Sequence, residues 1–163
     1  QCDWSSDVCS SDLKTFYLRF PQYRWFTFRD LRGLSEKEFA NSLRDCFLSV
    51  WVDTKSGFGT FPLESMACGV PVLGKVPDMQ PSWMTQENGI WITDLTLMTD
   101  FIADFIQNWL EDNIKPDLYT NMDQTVENYL NKQTFDSKVV ELFNNYLSTR
   151  ATQFEEQISK TQE

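Results

Sequence analysis

The chain has 163 residues, which is enough for one domain of ordinary size or for part of a larger one. Its 24 acidic and 14 basic residues give a net charge of −10, which disfavours binding to a nucleic acid backbone or to an anionic membrane. The sequence contains no histidine, which excludes Ser-His-Asp and Cys-His catalysis and histidine metal sites from this chain. A hydrophobic fraction of 41% predicts a packed core, and no apolar run is long enough to cross a membrane.

The first thirteen residues, QCDWSSDVCSSDL, differ in composition from the rest of the chain. They have neither the basic nor the apolar region of a signal peptide. Residues 1–13 resemble the translation of a sequencing-adapter oligonucleotide, so we interpret them as artefactual and expect no persistent contact with the domain. The alternative is a metal or disulfide element formed by Cys2 and Cys9. The remaining cysteines, Cys46 and Cys68, are predicted to be buried thiols in a reducing compartment.

Short apolar runs then alternate with segments of helical periodicity, which predicts an α/β protein with a parallel sheet. Strands are predicted at 23–31, 47–52, 70–73 and 89–93. Helices are predicted after a capping box at Ser35 and Glu38, from Pro62 to Gly69, and at 97–110, 118–129 and 135–147, the last with Thr134 as a candidate cap. Residues 149–163 are predicted to be a polar tail or a fraying helix.

One stretch, SGFGTFPLESMACGVPV from Ser56 to Val72, has features suited to binding a ligand. Its glycines allow a ligand to approach the backbone closely. Amides at the start of the following helix are suited to phosphate or sugar oxygens. Glu64 can accept hydrogen bonds from two neighbouring hydroxyls, such as those of a ribose. The same pattern is also compatible with a helix-capping turn followed by a surface glutamate.

The run GFGTFPLESMACGVPVLG resembles the signature of the retaining group-1 glycosyltransferases (glycosyltransferase family 4), in which two glutamates stand eight positions apart around a Gly-Phe-Gly turn. The flanking runs RDCFLSVWVD and ENGIWITD are similar to the strands on either side of that signature. The resemblance covers residues 23–148 and implies the C-terminal half of a GT-B fold. We therefore expect a Rossmann-like parallel sheet with flanking helices in a partial nucleotide-sugar-binding domain at 14–148, truncated at its N-terminus, and a helical C-terminal extension.

The resemblance also implies roles for individual residues. Glu64 matches the second signature glutamate, which holds the ribose hydroxyls. In the family a glycine turn contacts the donor sugar and phosphate, and the residues that match this turn are Gly57, Phe58, Gly59 and Thr60.

Two further positions matched by the resemblance are Asp30 and Leu31, which lie where the family holds the nucleotide base. The chain departs from the signature at Ser56, which replaces the first glutamate. A serine can hydrogen-bond a sugar hydroxyl but supplies no charge, which leaves the sugar and the turnover open.

An aromatic residue in the loop before the last strand, Trp83, has two interpretations. It can stack on a sugar ring, or it can anchor the loop to the core. The run Met66-Ala67-Cys68 is interpreted as packing between helix and sheet.

Three functions are compatible with the sequence. The resemblance implies donor binding in an enzyme that transfers a hexose from a nucleotide diphosphate sugar with retention of configuration, without a cofactor and without an obligatory metal. A nucleotide-sugar epimerase is disfavoured by Pro62-Leu63-Glu64. A non-catalytic nucleotide-sugar-binding domain is supported by Ser56.

The expected partners are the donor and a missing N-terminal acceptor domain, with no nucleic acid and no membrane span. The expected location is cytoplasmic, with any membrane contact made through the missing part. This fragment alone is expected to be inactive.

Overall fold

The computed structural model describes residues 9–31, 33–53 and 58–161. Contacts within the chain divide it into two compact units, residues up to Val126 and residues from Glu127 onward. The helices and strands in chain order are α1 (Cys9–Arg19), α2 (Glu36–Arg44), β1 (Ser49–Trp51), α3 (Thr60–Ala67), β2 (Val72–Lys75), β3 (Ile90–Ile92), α4 (Met98–Leu110), α5 (Pro116–Tyr129) and α6 (Lys132–Thr161).

The three strands form a parallel sheet in the order β1-β2-β3. Helix α3 connects β1 to β2, and an irregular segment, residues 76–89, connects β2 to β3. The predicted α/β class with a Rossmann-like parallel sheet and flanking helices is therefore confirmed. All three strands lie within predicted segments or overlap them, although each has only three or four residues.

The two faces of the sheet have different partners because successive strand residues point to opposite sides. Val50, Leu73 and Ile92 belong to a buried cluster that also contains the α4 residues Ile102 and Phe105. On the other face, the Ser49 hydroxyl lies 2.6 Å from the Ser65 hydroxyl of α3. The sheet is thus covered by α4 on one face and by α3 on the other.

A row of two tryptophans with a glycine between them crosses the α3 face of the sheet. In the strand register Trp51 is opposite Gly74, and Gly74 is opposite Trp91. The two indole rings meet edge to face, 6.5 Å apart between centroids. A Cβ atom on Gly74 would lie 2.8 Å from the Trp91 ring and 3.2 Å from the Trp51 ring. Glycine in the central strand therefore makes room for both rings.

The local helix signals are confirmed at two sites. The Ser35 hydroxyl accepts a hydrogen bond from the Glu38 amide at 3.4 Å, and the Glu38 carboxylate accepts one from the Ser35 amide at 3.0 Å. Gly69 has a φ of +75° directly after the last turn of α3, the left-handed conformation typical of a helix end.

The strand predicted at 23–31 is wrong. A 3-10 turn covers Pro21–Tyr23, and the residues after it are irregular. Two aromatic side chains of this segment pack against other rings instead, Phe26 against Phe47 and Phe28 edge to face on Phe16, while Trp25 is exposed. Aromatic residues are common in strands because their side chains pack well on a sheet surface. In this segment the rings pack in the same way, but the backbone does not pair with a neighbouring strand.

The cap predicted at Thr134 is also wrong. The Asn131 side-chain oxygen accepts hydrogen bonds from the amides of Gln133 and Thr134, so α6 begins three residues earlier than predicted. At its other end α6 includes residues 149–161. In the part of the chain that the structure describes, no helix has both the length and the apolar character of a membrane span.

Residues 1–8 lie outside the described residues, whereas the backbone of residues 9–13 forms the first turns of α1. Cys46 and Cys68 are reduced thiols, as predicted, but both are half-buried rather than buried.

The tryptophan row generates a stability prediction. Gly74→Ala should reduce the free energy of unfolding by about 1–3 kcal/mol, because the added methyl group overpacks the space beside Trp91. The penalty should be smaller when Gly74→Ala is introduced into a Trp91→Phe background, since phenylalanine lacks the part of the ring that the methyl group meets. Urea denaturation of the two single variants and the double variant measures this coupling. Strictly additive effects would contradict the steric explanation.

Candidate functional site

The candidate site lies at the carboxyl edge of the sheet, where β1 ends at Trp51 and the chain turns into α3. Open α/β sheets bind ligands at this edge. Of the predicted turn, Ser56 and Gly57 lie outside the described residues. The described part consists of Phe58, which is exposed, and Gly59, which is buried.

The turn leads directly into the N-terminus of α3. Gly59 has φ +69° and ψ 64°, in the left-handed region, and supplies no side chain to cap the helix. The amides of Thr60 and Phe61 are in the first helical turn, where the helix provides no internal acceptor, and Pro62 has no N–H. This end of α3 therefore offers backbone donors and the positive end of the helix dipole to an anion.

The turn is held from beneath by tryptophan rings. The Trp83 indole Nε1–H donates a hydrogen bond to the Phe58 carbonyl at 2.7 Å. A Cβ atom on Gly59 would lie 3.1 Å from Trp83 and 3.3 Å from Trp51. The Trp83 side chain is only 2% exposed, so its interpretation as a sugar-stacking residue is wrong, and its interpretation as an anchor of the loop is confirmed.

The predicted carboxylate, Glu64, is the fifth residue of α3 and is exposed. Partial desolvation raises the pKa of its carboxyl above the ordinary glutamate value, and the negative charge of Glu36 raises it further. The carboxyl therefore takes up its proton at a higher pH than an isolated glutamate would.

Helix α2 lies against this side of α3. Phe39 and Phe61 meet edge to face with centroids 5.8 Å apart, and the Cys68 thiol contacts the Ala40 carbonyl at 3.9 Å. This packing brings the N-terminal turn of α2, which contains Glu36, to the Glu64 side of α3.

The two residues matched to the base-binding position precede α2. Both lie in the irregular segment that leads to the capping box, with Asp30 exposed and Leu31 buried. Ser35, the cap of α2, follows Leu31 by four residues in the sequence.

Sequence reasoning missed one charged residue at this edge. Lys75 ends the central strand β2 and is half-buried. It shares a sheet face with Leu73, opposite to the face that α3 covers. A cation placed directly after a short buried strand is the sequence signal that could have identified it.

A separate cleft of about 470 Å³ lies at the opposite, amino edge, where β3 begins. None of the candidate site residues named from the sequence lines this cleft. Its lining combines apolar, amide and charged side chains, including Ile90, Phe105, Asn108, Lys115 and Asp117.

Comparisons of the chain with protein-family models and with curated proteins find no match. The resemblance to the retaining glycosyltransferases therefore depends on the signature residues themselves.

The charge interaction across α2 and α3 can be tested by titration. Glu36→Gln should lower the pKa of Glu64, because one nearby negative charge is removed, while partial desolvation should keep it above the ordinary value. Carbon-13 NMR titration of the glutamate carboxyl groups measures the change. Glu111→Gln is the matched control, because it removes the charge of a glutamate at the C-terminal end of α4 and should leave the pKa of Glu64 unchanged. A pKa of Glu64 that is the same in Glu36→Gln as in the control would contradict the charge interaction.

Proposed function

We propose that this chain is the donor-binding part of a glycosyltransferase that transfers a hexose from a nucleotide diphosphate sugar with retention of configuration. The observation that carries the proposal is the position of an exposed carboxylate, Glu64, one helical turn beyond the N-terminus of α3 at the carboxyl edge of a parallel sheet. The signature resemblance adds the reaction class and the stereochemical outcome.

The chemistry of a nucleotide diphosphate matches the order of groups along α3. Amides at the start of the helix are suited to the diphosphate oxygens. Glu64 lies four residues after Thr60, or about 6 Å along the helix axis at 1.5 Å per residue. A diphosphate bound at the N-terminus would thus place its ribose beside a carboxylate that can accept hydrogen bonds from both hydroxyls.

The acidic character of the chain favours this manner of binding over a lysine-rich one. With a net charge of −10, or −7 without the three aspartates of residues 1–13, the protein does not attract anions at long range. Backbone amides and a helix dipole act over short distances and give selectivity by geometry. Because Ser56 replaces the first glutamate of the signature, Glu64 is the single acidic side chain in the run from Ser56 to Val72.

Binding of nucleoside diphosphates to the 163-residue chain tests the proposal. Calorimetry with UDP, GDP and ADP should detect binding of at least one, and Glu64→Gln should weaken it at least tenfold. The reason is that each lost hydrogen bond to a charged acceptor is worth about 1.5–3 kcal/mol. Glu141→Gln, at an exposed glutamate of α6, is the control and should bind like the unmodified chain.

Two results would contradict the proposed function. One is the absence of binding for all three nucleotides. The other is an affinity that Glu64→Gln and Glu141→Gln leave equally unchanged.

A further inference from the structure

We propose that Trp83 is a positioning residue for the nucleotide-sugar site. Its indole N–H holds the Phe58 carbonyl, and this bond fixes the direction in which the glycine turn presents the first amides of α3 to the donor diphosphate. The inference rests on the proposed function and adds to it a residue outside the signature, in the irregular segment between β2 and β3.

Trp83 orients the peptide unit between Phe58 and Gly59. The carbonyl of this unit accepts the 2.7 Å hydrogen bond from the Trp83 indole N–H. The described residues contain no cis peptide bond, so this unit is a planar trans peptide and one bond to its oxygen sets the orientation of the whole plane. The dihedral angles of Gly59 then set the next plane, which carries the Thr60 amide.

Tryptophan rings fill the space beneath the turn. The Trp83 and Trp51 rings lie so close to Gly59 that a Cβ atom there would come within 3.1 and 3.3 Å of them. Since this space is filled, Gly59 cannot move towards the sheet. The Phe58 side chain is 49% exposed, whereas Trp83 is 2% exposed, so the buried contact to the turn comes from Trp83.

Trp83 is itself immobilised. Its carbonyl accepts a hydrogen bond from the side-chain Nδ2–H of Asn88 at 2.6 Å, and the same Nδ2 also donates to the Thr125 hydroxyl of α5 at 2.9 Å. Asn88 is only 1% exposed, and its side-chain oxygen accepts from the Thr85 amide at 3.0 Å. A buried hydrogen-bond network of this kind holds one geometry.

Trp91 is the comparison residue for simple core packing. It is also buried, and its ring lies 5.7 Å from that of Trp83. Its indole N–H donates to the Thr85 carbonyl at 2.7 Å and to the Asn88 side-chain oxygen at 3.3 Å, and to no described residue of the turn. Loss of an indole N–H should therefore weaken ligand binding more at position 83, where the hydrogen bond ends on the turn, than at position 91, where it ends on Thr85 and Asn88.

The experiment compares Trp83→Phe with Trp91→Phe in the 163-residue chain. Calorimetry uses whichever of UDP, GDP and ADP the unmodified chain binds most tightly. Trp83→Phe should weaken binding about five- to tenfold, the effect of one lost hydrogen bond that orients the donors, whereas Trp91→Phe should stay within about twofold. Replacement of Trp83 by its benzothiophene analogue, which keeps the ring shape and removes only the N–H, should give the same loss and covers the case in which Trp83→Phe does not fold.

Nitrogen-15 spectra supply a readout that packing alone would not change. On nucleotide addition the indole N–H signal of Trp83, assigned by its absence in Trp83→Phe, should shift, and that of Trp91 should not. An unshifted Trp83 signal at saturation, or equal losses of affinity at positions 83 and 91, would overturn the inference. If the unmodified chain binds and Glu64→Gln weakens binding while the benzothiophene analogue does not, the inference alone fails. Absence of binding by the unmodified chain overturns the proposed function and this inference together.

Discussion

The close packing of tryptophan rings against glycines is the constraint on which the candidate site depends. Gly74 lies between Trp51 and Trp91 across three strands, and a methyl group at that position would overlap the rings. Trp83 then packs edge to face on Trp91 and reaches the turn before α3 through its indole N–H. The described part of the turn, Phe58 and Gly59, is thus held by the packing of the sheet face beneath it.

This arrangement fits the proposed binding of an anion by an acidic protein. The net charge is −10, or −7 without the three aspartates of residues 1–13, so long-range attraction is absent and affinity has to come from groups in direct contact with the ligand. Backbone amides supply such contacts only if their direction is fixed in advance, because reorienting them on binding would consume part of the binding energy. A turn supported by buried rings meets that requirement. It also implies weak dependence of binding on salt concentration, unlike a site built from surface lysines.

Features set by neighbouring residues could be predicted from the sequence. The capping box at Ser35 and the helix end at Gly69 each depend on a few adjacent positions, and both are present. The strands were predicted because short apolar runs between turn residues are typical of a buried parallel sheet. The cap of α6 was assigned to Thr134 instead of Asn131 because both residue types are good caps and no local signal distinguishes them.

Features that depend on contacts distant in sequence could not be predicted. The aromatic segment after Pro21 has strand-like composition, yet its rings pack against Phe16 and Phe47 in an irregular conformation. The contact of Trp83 with the turn joins residues 25 positions apart, and the effect of Glu36 on Glu64 requires α2 to lie beside α3. Neither of these two interactions at the candidate site has a signal in the local sequence.

A crystal structure of the chain with a bound nucleoside diphosphate tests the central claim most directly, namely that the supported turn and Glu64 form one nucleotide site. The account predicts diphosphate oxygens within hydrogen-bond distance of the Thr60 amide and ribose hydroxyls on the Glu64 carboxylate, with the Trp83 bond to the turn intact. A nucleotide bound instead in the cleft at the amino edge of the sheet, or at the turn with its ribose directed away from Glu64, would contradict it.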